Sequence, residues 1–238
     1  MKKLVFILIA TISLSFSSKT SYKTNDAAAG SSKSAPHSVI TAKPLTSDAV
    51  IALLKSGNRR FYTFKPLVMK DSLRIRSTAS GQRPMAAVLS CLDSRVPVET
   101  VFNMGIGDLF VARVAGNIGN EDIWGSLEYA CHVMGAKVIV VLGHTDCGAI
   151  TSAIDNVKLG NITALLAKIR PAVYAVEMPG DRTSRNQKFV HAVMVKNVEL
   201  TIKKMRKDSP IIDKLVQDKK VKILAGIYDV ATGKITYL

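Results

Sequence analysis

A chain of 238 residues is long enough for one domain of ordinary size with an appendage. Hydrophobic residues make up 47% and charged residues 21%, enough to bury a full core, which excludes an intrinsically disordered chain. The net charge of +15 raises nucleic acid as a partner, but the basic residues are scattered, no run of five like charges occurs and few aromatics lie among them, so no nucleic-acid platform is expected.

Met1-Lys2-Lys3 is a short cationic start, Leu4 to Leu14 is apolar, and Ser15-Phe16-Ser17 supplies small residues where a signal peptidase reads. Residues 1–17 therefore read as a signal peptide, and the chain as exported, periplasmic or secreted. The apolar run is shorter than the ~20 residues a membrane span needs, so no stable membrane anchor is expected after cleavage. Residues 18–44, rich in Ser, Thr, Lys and Ala, read as a flexible linker.

The domain spans 45–238, and its first part, 45–80, reads as an N-terminal helical arm. Ser47 or Asp48 caps a helix through Ala49–Leu54 that stops at Gly57, and a basic, mixed stretch follows to Ser80. From there strands and helices alternate. Strand Pro84–Ser90 is followed by a short helix at Pro97–Asn103. Strand Leu109–Val114 precedes a helix at Glu121–Met134. Strand Lys137–Leu142 leads to a helix starting near Gly148. A long amphipathic helix over Asn186–Lys207 and a shorter one over Ile211–Asp218 come before strand Val221–Tyr228. Lys234–Leu238 closes the chain as an antiparallel edge strand. The fold class is α/β, a central mostly parallel β-sheet flanked by helices. Gly105-Ile106-Gly107 lacks the third glycine of a dinucleotide fingerprint and precedes a strand, and no phosphate loop is present.

The chemistry concentrates at two strand ends. Cys91-Leu92-Asp93-Ser94-Arg95 follows the apolar run Met85–Leu89, and His144-Thr145-Asp146-Cys147 follows Val138–Leu142. The carboxyl ends of parallel strands are where open α/β sheets place their ligands. Two thiolates and one imidazole make a three-ligand zinc site with an open fourth position, one Zn2+ per chain. A closed structural site would need a fourth Cys or His nearby, and the sequence has none. Such a site is formally neutral, a weaker Lewis acid than a three-histidine one, so a second group has to manage the proton. Asp93 is placed for that, and Arg95 can fork onto its carboxylate. The third cysteine, Cys131, falls in a helix and reads as a small packed hydrophobe.

These stretches resemble the β-class carbonic anhydrases from about Leu45 to Leu238. Cys91–Arg95 matches the family's Cys-x-Asp-Ser-Arg, and His144–Gly148 its His-x-x-Cys-Gly. Gly105–Asn117 and Ser126–Ala130 are similar to its second strand and following helix. The resemblance implies that Cys91, His144 and Cys147 bind zinc, that Asp93 and Arg95 form the catalytic pair, and that the reaction is reversible hydration of CO2 to bicarbonate by zinc-bound hydroxide. It places Gln82 (from a neighbouring subunit), Phe110, Tyr129 and Gly148 at substrate positions. It implies a homodimer or dimer of dimers whose arm wraps the partner. Some members carry an inhibitory bicarbonate site that uses a Trp three residues before the first Cys ligand. Here that residue is Val88, and although Arg113 matches the Arg of that site, no such regulation is expected. Hydrolysis of COS or CS2 on the same scaffold is the nearest rival, and a non-catalytic zinc- or bicarbonate-binding protein the next.

Overall fold

The computed structural model describes residues 45–238. The signal peptide expected over 1–17 and the linker expected over 18–44 lie outside the described residues. Five strands, β1 (Ala86–Ser90), β2 (Leu109–Arg113), β3 (Val138–His144), β4 (Lys222–Tyr228) and β5 (Ile235–Tyr237), form one sheet in the order β2-β1-β3-β4-β5. The first four are parallel, and β5 runs antiparallel to β4 at the edge. The α/β architecture expected from the alternating pattern is therefore present. Among the described residues, no helix is long and apolar enough to cross a membrane.

β1 and β3 are buried along their whole length, as central parallel strands covered on both faces must be. Ala87, Leu89, Ile139 and Val141 face one layer, packed with Trp124, Leu127, Ile169 and Val193. Ala86, Val88, Val138, Val140 and Leu142 face the other, against Val50, Leu54, Val98 and Phe102. The first layer holds α4 (Glu121–Glu128), α6 (Gly160–Ala175), α7 (Gln187–Asp208) and α8 (Pro210–Gln217). The second holds α1 (Ser47–Tyr62) and α3 (Val98–Val101). The remaining helices are α2 (Asp71–Thr78) in the arm and α5 (Gly148–Ile154) after β3.

Several elements differ from expectation. The cap of α1 is Thr46, whose Oγ1 accepts from Ala49 N at 3.2 Å, and the helix runs through Gly57 to Tyr62. Gly57 serves close approach rather than termination, because a Cβ there would sit 1.8 Å from the carbonyl oxygen of Phe102. The helix expected over Glu121–Met134 changes pitch, with α4 passing into one π-helical turn at Tyr129–Val133. α6 was not expected at all. Pro171 in its interior breaks the helical signal, yet Leu166, Ile169, Ala172 and Val173 keep a helical spacing and are buried. Cys131 packs in the core as expected, and burial pushes its thiol up to about 12.

Asn58, buried on α1, fastens the arm to the sheet. Its Nδ2 donates to the carbonyls of Val101 and Gly233 at 3.2 and 2.9 Å, and its Oδ1 accepts from Ile235 N at 3.0 Å. Asn58→Ala leaves these groups buried and unpaired. It should lower the free energy of unfolding by about 2–4 kcal/mol. Urea denaturation checks this, and a loss below about 0.5 kcal/mol, the scale of a neutral surface change, would show the junction to be solvated instead.

Candidate metal centre

β1 and β3 are adjacent, parallel and paired Ser90↔Leu142, so the residues that follow leave the sheet at the same edge. Cys91 comes directly after β1. His144 is the last residue of β3, two beyond the expected strand end. A turn with Asp146 at φ 55° then brings Cys147 to the N-cap of α5. The three side chains are buried, and their ligand atoms all lie within 4.8 Å of one another.

Cys91 Sγ and Cys147 Sγ are 3.9 Å apart. Two thiolates on one tetrahedral zinc, each at about 2.3 Å, would be separated by about 3.8 Å. His144 Nδ1 lies 2.8 Å from the carbonyl oxygen of Thr145, which makes Nδ1 the donor and leaves the lone pair on Nε2. That Nε2 is buried and has no hydrogen-bond partner. An unsatisfied imidazole nitrogen facing two thiolate sulfurs is a costly arrangement without a metal and the expected donor set with one. The residues fit zinc.

Without metal, protons take its place. Cys91 is lowered to about 4, first by the hydrogen bond from the Cys147 thiol, against burial, with His144 and the backbone N–H of Gly116 (3.3 Å) helping. Cys147 is pushed up by the Cys91 thiolate and by burial. Burial opposes the charged form of His144, but the Cys91 thiolate outweighs it and the net shift is upward. Zinc binding must displace these protons, so affinity should rise with pH.

Asp93 is held by Arg95. Oδ1 accepts from Arg95 N at 2.9 Å and Nε at 3.0 Å, and Oδ2 accepts from Nη2 at 2.8 Å. Arg95 Nη2 also donates to the Asp146 carbonyl at 3.1 Å, tying the two ligand loops together. The guanidinium hydrogen bond holds the Asp93 carboxyl down at about 2. Asp93 Oδ2 remains 3.9 Å from His144 Nε2, within reach of the metal position while committed to arginine.

Two residues support the site in ways the sequence does not show: Arg113, which it offers only as the match to an inhibitory-site arginine, and Asn197. Arg113, at the end of β2, donates from Nε to the Cys91 carbonyl and from Nη2 to the Leu92 carbonyl, both at 3.1 Å, and also to that of Asp93. Its guanidinium is occupied with the ligand loop, and Val88, at the position of the missing Trp, is fully buried. Asn197 on α7 donates from Nδ2 to the Gly116 carbonyl at 2.8 Å, fixing the turn whose N–H reaches Cys91 Sγ. Both act on backbone groups far away in sequence, and no local motif marks them.

The structure thus brings Cys91, His144, Cys147, Asp93 and Arg95 together, with Gly148 adjoining as the first residue of α5. Gln82 is exposed in the loop before β1, at the opposite end of that strand from Cys91. Phe110 and Tyr129 meet edge to face at 6.4 Å and line a separate cavity of about 800 Å3 that none of the three metal-ligating side chains enters.

Residues 86–235 match the family model described as carbonic anhydrase. Carbonic anhydrase 2 of Mycobacterium tuberculosis is 42% identical over 110 residues, covering 46% of this chain and 53% of that protein. The chain thus aligns with about half the length of that relative. The carbonic anhydrase of Mycolicibacterium smegmatis is 34% identical over 188 residues, covering 76% of this chain and 88% of that protein. Among solved structures, the Coccomyxa β-carbonic anhydrase in complex with acetazolamide superposes with a TM-score of 0.63 at 25% identity, over 83% of this chain and 87% of that one.

The Asp93–Arg95 pair makes a pH-dependent prediction. The folded-state value, about 2, lies below the ordinary one. The pair therefore stabilises above the unfolded value of about 3.9 and loses that contribution as pH falls towards 2. In metal-free protein, carbon-detected NMR should show Asp93 titrating near 2, and Arg95→Ala should move it up towards the ordinary carboxylate value. An unchanged titration in Arg95→Ala would show that the fork does not set the charge of Asp93.

Proposed function

The chain belongs to the β-class carbonic anhydrase family, and we propose that it catalyses the reversible hydration of CO2 to bicarbonate, with one zinc held by Cys91, His144 and Cys147. The observation that carries this reading is the buried, unpartnered Nε2 of His144 facing two cysteine sulfurs while Asp93 is turned onto Arg95. When bound, zinc supplies the Lewis acidity that makes a hydroxide nucleophile available near neutral pH.

The protein's own groups do the rest. Arg95 occupies both oxygens of Asp93, so the carboxylate stays ionised and does not close the site. Asp93 Oδ2 would accept a hydrogen bond from the nucleophile and direct its proton towards solvent, to which the side chain is 18% exposed. Arg113 holds the Cys91–Asp93 carbonyls and so the direction from which Asp93 acts. Beside Cys147, a Cβ added to Gly148 would meet nothing within 4 Å, which leaves room for a small apolar substrate.

In this reading the active unit is a homodimer or a dimer of dimers. β2 is a half-buried edge strand, and the arm presents Phe64 and Val68 at 90% exposure, apolar surface that a second copy would cover. Gln82, Phe110 and Tyr129 would then serve the neighbouring subunit's site. The cationic and apolar segments of residues 1–17 support action outside the cytoplasm. The engaged Arg113 and the buried Val88 support activity without bicarbonate inhibition.

Stopped-flow CO2 hydration by the zinc-loaded protein is the test. Activity should rise with pH, and Asp93→Ala should lower kcat by about 10²–10⁴-fold, the range for loss of a general acid–base group, with zinc content unchanged. A full complement of zinc with no CO2 turnover at any pH would overturn the reading in favour of COS hydrolysis or a binding role.

A further inference from the structure

Away from the metal centre, a cavity of about 310 Å3 opens between α4, α6 and the carboxyl half of α7. Three polar residues that line it, Trp124, Asn197 and Thr201, are 4%, 3% and 6% exposed. Four lysines, Lys168, Lys203, Lys204 and Lys207, stand around it against a single carboxylate, Asp208. Pro171 and Leu200 add apolar wall.

Two features of this cavity are unbalanced as they stand. The indole Nε1–H of Trp124 is buried with no hydrogen-bond acceptor, an arrangement that costs about 1–3 kcal/mol. The nearest anionic group to it is the Asp208 carboxylate, which is already paired with Lys204 at 2.5 Å. Among the described residues, Lys168, Lys203 and Lys207 form no ion pair, so like charges ring one opening. Cations near the end of α7 suit its dipole, but this accounts neither for Lys168, which belongs to α6, nor for the indole.

A single anionic group would answer both, accepting from the indole N–H and neutralising the free ammonium groups. The volume lies at the lower end of the roughly 300–1,000 Å3 of small-molecule sites, and the walls are partly apolar. The floor is set in advance, since the Asn197 amide already donates to the Gly116 carbonyl at 2.8 Å. We propose that this cavity binds a small organic carboxylate, its charge received by the Trp124 indole N–H and by Lys203 and Lys207, and its apolar body lying against Pro171 and Leu200.

Trp124 is the chain's only tryptophan, so one indole N–H signal in a 1H–15N spectrum reads this cavity alone. Benzoate added to the zinc-loaded protein at constant ionic strength should shift that signal saturably and downfield, and neutral benzamide should not. The double variant Lys203→Gln/Lys207→Gln, both at exposed positions, should weaken benzoate binding by about tenfold. Asp208→Asn removes the one repelling charge and should tighten it by about threefold. No saturable shift, equal binding by the double variant, or weaker binding by Asp208→Asn would each overturn the proposal.

Discussion

Parallel pairing of β1 with β3 in the register Ser90↔Leu142 is the constraint on which the metal centre depends. It delivers Cys91 and His144 to one edge of the sheet, and the turn after β3 returns Cys147 to meet them. A slip of one residue would send every side chain of β1 to the other layer and carry the first ligand away from the others. The register is fixed by burial on both faces, where Leu89 and Val141 belong to one layer and Val88 and Val140 to the other. The hydrophobic core thus sets the geometry of the chemistry.

Around that edge, backbone hydrogen bonds hold what the strands deliver. Arg113 fastens the carbonyls of residues 91–93, and Arg95 ties Asp93 to the Asp146 carbonyl. The turn at Gly116, at φ 72°, turns its N–H to Cys91 Sγ and is anchored from α7 by Asn197. Each arginine satisfies several acceptors from one planar head, which a lysine could not do. The same Arg95 fork keeps a carboxylate that lies within reach of the metal position from taking it. Electrostatics and packing therefore act together, the first choosing the partner of Asp93 and the second placing it.

The sequence shows the strands and ligands plainly because their signals are local. Apolar runs of five or six residues ending in Cys or His mark both the buried strands and the donors that follow them. Gly57 was misread because a glycine that ends a helix and a glycine that admits a neighbouring carbonyl look alike until Phe102 is in place. α6 was missed because Pro171 interrupts a pattern that burial of Ile169 and Ala172 restores. The supporting roles of Arg113 and Asn197 were out of reach for a deeper reason: their partners are backbone groups about 20 and 81 residues away, and only the folded chain brings them together. The separation of Phe110 and Tyr129 from the metal ligands likewise appears only in three dimensions.

A crystal structure of the zinc-loaded protein at neutral pH tests the central claim most directly. The account predicts one zinc per chain on Cys91 Sγ, His144 Nε2 and Cys147 Sγ, with Asp93 still held by Arg95. Zinc bound elsewhere, or Asp93 released from Arg95 to become a fourth protein ligand under those conditions, would contradict it.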